Sequence, residues 1–276
     1  MSELGPSFYG EVLPVFSRAV DEEEDEDDAE CVPVESSVLQ WSPEALAEMK
    51  REGGLECGIL VIAIDSVATG FVQTHLLYEG AERLGVLCSG LSDNCINTLD
   101  QESFTDETCY IYRLRSHPSI LFCQCNTKVI PEQSSSWVQQ LFSSVKSIHT
   151  YVAVLSHKSV SEYRSIQAPS QINVPFLRAL KTTHFQGTPI CRYLEQPNII
   201  DGLPAQIITH CQVKAIPAVF YVCYTENIYL DIESLKEFTK LTATTPFRDF
   251  YVPNPNASEE LRKLVDQKNK SNLLYM

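Results

Sequence analysis

GILVIAID, Gly58 to Asp65, decides the fold. Ile59 to Ile64 are all apolar and mostly β-branched, and the run ends on a carboxylate, the pattern of a strand buried on both faces. A strand with no polar face must be covered by helices on both sides. The next stretch, Val67 to Tyr78, supplies a first one, with Val67, Phe71, Val72, Leu76 and Leu77 close to helical spacing despite Gly70 in its interior.

Further short strands are predicted at Gly85 to Cys88, Cys109 to Leu114, Ile120 to Cys125, Tyr151 to Leu155 and Val219 to Tyr224, rich in β-branched or aromatic residues and bounded by turn residues. Helical patterns lie between and after them. Pro131 to Val145 opens with Pro and Glu and carries Trp137, Val138, Leu141 and Phe142; Leu203 to Ala215 and Asp231 to Thr242 follow the same logic. This alternation predicts an α/β fold, a three-layer sandwich with a mostly parallel central sheet flanked by helices, over residues 55–268.

The two ends read differently. Residues 1–54 combine prolines, the Gly53-Gly54 break and the unbroken acidic run Asp21 to Asp28, a mixture expected to form a disordered, flexible arm. Within it SPEALAEMKR, Ser42 to Arg51, has the Ser cap, first-turn Pro and Glu of a short helix. Near the other end, VPNPNASEELRKLVDQK offers Asn256 or Ser258 as the cap of a charged helix with Leu261, Leu264 and Val265 on one side. Residues 269–276 are expected to be a flexible tail, polar at first and ending on large apolar groups.

The net charge is −15, but the acidic run supplies −8 of it, leaving a mildly acidic body. With 21 Lys and Arg and no dense basic patch along the chain, nucleic-acid binding is not expected. The start MSELGPSFYGEV lacks the basic and apolar regions of a signal peptide, and no apolar run is long enough to span a bilayer, which predicts a cytoplasmic location, with the nucleus also open. Ten cysteines are spread over a chain large enough to fold on its core alone, so they are expected to be reduced thiols acting as small hydrophobes. Cys123 with Cys125, and Cys88 with Cys95, have no matching second pair at zinc-site spacing, and no metal or other cofactor is expected.

No nucleophile elbow, phosphate loop, zinc helix or dinucleotide fingerprint is present. Asp65 stands where an α/β sheet often places a functional carboxylate, so two readings stay open for it: cap of the following helix, or catalytic group of a hydrolase or nucleoside phosphorylase-like enzyme working with a histidine. His210 and Cys211 are neighbours on one helix and so point about 100° apart, a poor geometry for base and nucleophile.

Several segments resemble the proteasome assembly chaperone 1 family: PFLRALKT (Pro175 to Thr182), LEQPNII (Leu194 to Ile200), LPAQIITHCQVKAIPAVFYVCYT (Leu203 to Thr225), HPSILFCQC (His117 to Cys125) and FYGEV (Phe8 to Val12). The arm from Glu30 to Glu56 and the segment Thr244 to Asn272 match poorly. The resemblance implies an α/β fold without catalysis, an obligate heterodimer with a subunit similar to proteasome assembly chaperone 2, and alpha subunits of the proteasome core particle as clients. The family is also known for a C-terminal motif of a hydrophobic residue, Tyr and any residue, filled here by Leu274, Tyr275 and Met276. These three are thereby implicated in partner binding, the carboxylate and the Tyr ring entering a pocket between ring subunits.

Overall fold

In the computed structural model, residues 36–78, 80–89, 108–146, 150–165, 173–226 and 230–274 are described, with side chains as far as residue 266. The first half of the chain forms β1 (Val38–Trp41), α1 (Pro43–Glu52), β2 (Leu55–Glu56), β3 (Ile59–Ile64), α2 (Asp65–Phe71) continued by one π turn (Val72–Leu76), β4 (Ala81–Cys88), β5 (Thr108–Leu114) and β6 (Ile120–Cys125). The second half forms α3 (Pro131–Ser144), β7 (Val145–Lys146), β8 (Tyr151–Ser159), β9 (Phe176–Lys181), α4 (Gly202–Val213), β10 (Ala218–Thr225), α5 (Ile232–Thr239) and α6 (Ala257–Leu274).

Eight strands join one sheet in the order β1-β4-β5-β6-β3-β8-β10-β9. Its centre, β6-β3-β8-β10, is parallel. The flanks are antiparallel: β1, β4 and β5 on one side and β9 on the other. The sheet is therefore mixed, parallel at its centre and antiparallel at its flanks, and the short turn between β5 and β6 makes one of the antiparallel pairs.

The period of two inside β3 shows why its run is continuously apolar. Leu60 and Ile62 face one core with Val152, Val154, Phe220 and Val222, covered by Ala45 of α1, Trp137 and Leu141 of α3, and Ile207 and Cys211 of α4. Val61 and Ala63 face the other with Ala153, Leu155, Val219 and Tyr221, covered by Val67 and Phe71 of α2, Leu235 and Phe238 of α5, and Leu261 of α6. Both faces are dry, so no position of the strand can be polar without stranding a group away from water. Gly70 has a packing reason: a Cβ there would lie 3.0 Å from Leu230.

Two boundaries differ from the expected ones. The segment assigned to a flexible arm through residue 54 enters the fold by Val38, as β1 pairs with β4 and α1 lies over the sheet. Trp41, only 7% exposed, donates its indole N–H to Ser144 at 3.2 Å. The capping signals act as read: Ser42 Oγ accepts from Ala45 N at 3.2 Å, and Gly53, at φ 74°, donates to the Met49 carbonyl at 2.8 Å. Arg113 then ties the helix to the sheet, pairing with Glu48 at 2.6 Å and Glu82 at 3.3 Å. The acidic run lies outside the described residues. At the other end, the expected tail from residue 269 is helical as far as Leu274.

The docking of β1 depends on a glycine at the bulge between Arg83 and Gly85 of β4. A Cβ at Gly85 would meet the Trp41 ring at 2.7 Å and the Gln40 carbonyl oxygen at 2.8 Å. Since a backbone carbonyl cannot swing aside, the edge strand itself would have to move. Gly85→Ala is expected to lower stability by about 2 kcal/mol, read as a lower urea midpoint; an unchanged midpoint would show that β1 is not pressed against β4.

Candidate functional site

The C-terminal helix starts from a braced position. Just before it, the Asn254 side-chain amide donates to the Thr74 carbonyl at 2.8 Å and to Glu260 at 2.9 Å, while Asn254 Oδ1 accepts from Asn256 N at 2.9 Å. Tyr78 adds a hydroxyl bond to the Pro253 carbonyl at 3.0 Å. Leu261 is buried, and Leu264 and Val265 pack partly buried on the α2/α5 core. From Val265 the helical backbone continues to Leu274, a further advance of about 13 Å at 1.5 Å per residue. Leu274 is its last residue, and Tyr275 and Met276 lie outside the described residues.

Beside Val265 opens a hollow of about 660 Å³ between the end of β10 and the start of α5. Two of its acidic groups are already engaged: Asp231 accepts from Ser234 N at 2.6 Å and Ser234 Oγ at 2.8 Å, and Glu233 pairs with Lys236 at 2.8 Å.

Asp65 is held at the junction of β3 and α2 with φ at 75°. One carboxylate oxygen accepts from Ser156 Oγ at 2.9 Å and from the His157 backbone N–H at 2.8 Å; the other contacts the His157 ring at Nδ1 and lies 3.5 Å from Ala68 N. The His157 side chain is 6% exposed. The helix-capping reading therefore holds only in part, the N–H contact being long. The stronger role is across the sheet, where one carboxylate joins the C-terminal ends of the neighbouring strands β3 and β8.

The histidine and cysteine candidates separate. Cys211 points into the core and burial pushes its thiol up to about 12, while His210 lies over the Phe142 ring with centroids 4.7 Å apart, its pKa lowered by burial and by Lys214. A thiol raised this far is scarcely a nucleophile near neutral pH. Cys123 is likewise pushed well up, chiefly by burial, and Cys125 by its hydrogen bond from Cys109 and by burial, their thiols filling core space. Among the described residues no cluster of His, Cys, Asp or Glu is arranged to hold a metal ion, and no helix is long and apolar enough to cross a membrane.

Comparison with known proteins agrees over nearly the whole chain. A family model described as proteasome assembly chaperone 4 matches residues 6–276. A Xenopus laevis protein named proteasome assembly chaperone 1 is 36% identical, over 98% of this chain and 99% of its own length. The Homo sapiens protein of the same name is 32% identical over 95% and 96%. Among solved structures, Pyrococcus furiosus PbaB, described as an archaeal proteasome activator, superposes with a TM-score of 0.56 at 13% identity, covering 86% of this chain and 99% of that one. At that identity the likeness is one of fold.

Proposed function

The chain belongs to the proteasome assembly chaperone 1 family, and on that premise we propose that it is a non-enzymatic chaperone promoting assembly of the alpha ring of the proteasome core particle. In this reading it works as a heterodimer with a proteasome assembly chaperone 2-like subunit. It anchors Leu274, Tyr275 and Met276 in a pocket between alpha subunits. The observation that carries the reading is the full-length match to relatives of that name. The internal use of the Asp65 carboxylate by Ser156 and His157 supports a structural rather than a catalytic role for the one carboxylate placed where an enzyme would want it.

The chemistry of the anchor is that of captured chain ends. A terminal carboxylate suits a lysine or a nest of backbone N–H groups, and a tyrosine ring fills an apolar slot while its hydroxyl finds a neighbour. A braced helix leading to Leu274 reduces the number of backbone angles that must be fixed on binding, and each residue so spared avoids an ordering cost of about 1 kcal/mol. Three residues still make a small anchor, so the folded body supplies a second surface.

Removing Leu274 to Met276 is expected to lower the yield of alpha-ring intermediates co-purified with the chain and its partner by about tenfold, with thermal melting unchanged. Appending one residue after Met276 should act in the same direction by displacing the carboxylate. Equal yields from the truncated and full chains would remove the tail from the mechanism. Mass spectrometry of the same co-purification without any alpha subunit attached would overturn the chaperone reading itself.

A further inference from the structure

The edge strand β9 carries Arg178, whose guanidinium lies 4.5 Å from the centre of the Phe176 ring and 5.3 Å from that of Tyr163. Its Nε donates to the Tyr163 hydroxyl at 3.2 Å and to Glu195 at 3.4 Å, and the Tyr163 hydroxyl donates in turn to Glu195. Tyr224 completes an aromatic floor, stacked on Phe176 at 5.3 Å and tilted against Tyr163 at 4.8 Å. Asn198 locks the two surrounding loops together: it accepts from Arg164 N at 2.7 Å and donates to the carbonyls of Arg164 and Glu195, both at 2.8 Å.

These contacts leave a preformed hollow of about 210 Å³ whose wall includes Arg164, Arg178 and Arg192. Glu195 balances Arg178. Arg164 and Arg192 are exposed, and among the described residues neither lies within ion-pair distance of a carboxylate. Among the described residues the wall thus holds two cations without a paired carboxylate, in a chain of net charge −15.

We propose that this hollow receives a carboxylate from an acidic segment of a protein partner, gripped by Arg164 and Arg192 above the fixed floor of Tyr163 and Arg178. Guanidinium forks match a carboxylate in plane and can hold it through paired N–H bonds, which a surface lysine does not. The volume is below the roughly 300 Å³ at which sites for drug-sized ligands begin, so it suits an Asp or Glu side chain and excludes a nucleotide. Glu195 remains in the wall and repels a phosphate dianion about twice as strongly as a carboxylate, which favours the monoanion. Both gripping arginines sit at a wet rim, so they contribute orientation and salt dependence more than raw affinity. The hollow uses no residue of the C-terminal tail, and it stands or falls independently of the anchoring mechanism.

The test is an amide NMR titration of the full chain with acetyl-Glu-Glu-Glu-amide, with acetyl-Gln-Gln-Gln-amide and inorganic phosphate as parallel arms. The glutamate peptide is expected to give saturable shifts at Tyr163 to Ser165 and Arg192 to Gln196, the glutamine peptide none. Arg164→Glu with Arg192→Glu should weaken the glutamate peptide by roughly tenfold, whereas Lys128→Glu with Lys214→Glu, a change of equal charge at exposed positions outside the hollow, should leave it within about twofold. Arg192→Ala, the milder change, should give an intermediate loss if the double variant folds poorly. Equal response to both peptides, undiminished binding in the arginine variants, or saturation of these resonances by phosphate in preference to the glutamate peptide would each overturn the proposal.

Discussion

Asp65→Ala is expected to destabilise the protein by about 3 kcal/mol, a fall of roughly 6 to 12 °C in melting temperature for a body of this size. Three groups lose their acceptor at once: the Ser156 hydroxyl, the His157 backbone N–H and the buried His157 ring. An orphaned buried donor costs about 1 to 3 kcal/mol, and the loss falls on two of the central strands rather than on a loop. Alanine is also poorly suited to φ 75°, a region that Asp tolerates better. Asp65→Asn keeps the shape and one acceptor and should cost about half as much. At temperatures where it stays folded, the Asp65→Asn protein should match the parent in the proposed capture of proteasome subunits, because the carboxylate does structural duty. A stably folded Asp65→Asn protein that has lost this capture would give the carboxylate a role beyond the fold.

Trp137→Ala is expected to cost about 4 kcal/mol in urea denaturation. Trp137 is fully buried on α3 and is among the largest side chains enclosed by the core. Its removal leaves a void lined by well-packed strand residues that cannot collapse into it. One detail separates the Phe variant. The Trp137 indole N–H is buried and finds no acceptor among the described residues, so it contributes nothing that a Phe ring would lose. Trp137→Phe should therefore cost well under half of the alanine effect. A Phe variant as damaged as the Ala variant would show that the N–H is satisfied in solution.

Much of the fold was legible because its central strands carry no polar positions. β6 falls on the residues read from the sequence, Ile120 to Cys125, and β3 and β10 fall within a residue of the runs that suggested them. Helices with Pro at the first turn, α1 and α3, were marked by that residue together with an early Glu, and α1 also by its Ser cap. The edge strands were not. β1 is only four residues long, VLQW, and its pairing with β4 relies on a glycine distant in sequence. In β9, FLRALK has apolar residues at positions compatible with either period, and its long pairing is with β10, far along the chain. The helix reaching Leu274 was hidden by Asn269, Ser271 and Asn272, whose weak helix propensity predicts fraying. The arginine hollow was invisible for another reason: Arg164, Arg178 and Arg192 stand singly in the sequence, and only the β9 edge and its flanking loops bring them to one wall.

The helix α6 has a consequence for the proposed anchor that a loose tail would not share. A loose tail has a radius; a helix has a bearing. Because each helical residue turns the chain by about 100°, the backbone as far as Leu274 leaves the body along one azimuth set by where Leu261, Leu264 and Val265 seat in the core. If the anchor works as proposed, the side of the ring that the chain can address, and the face of its own body turned toward that ring, would be chosen by three leucine and valine side chains seated well before the anchor begins.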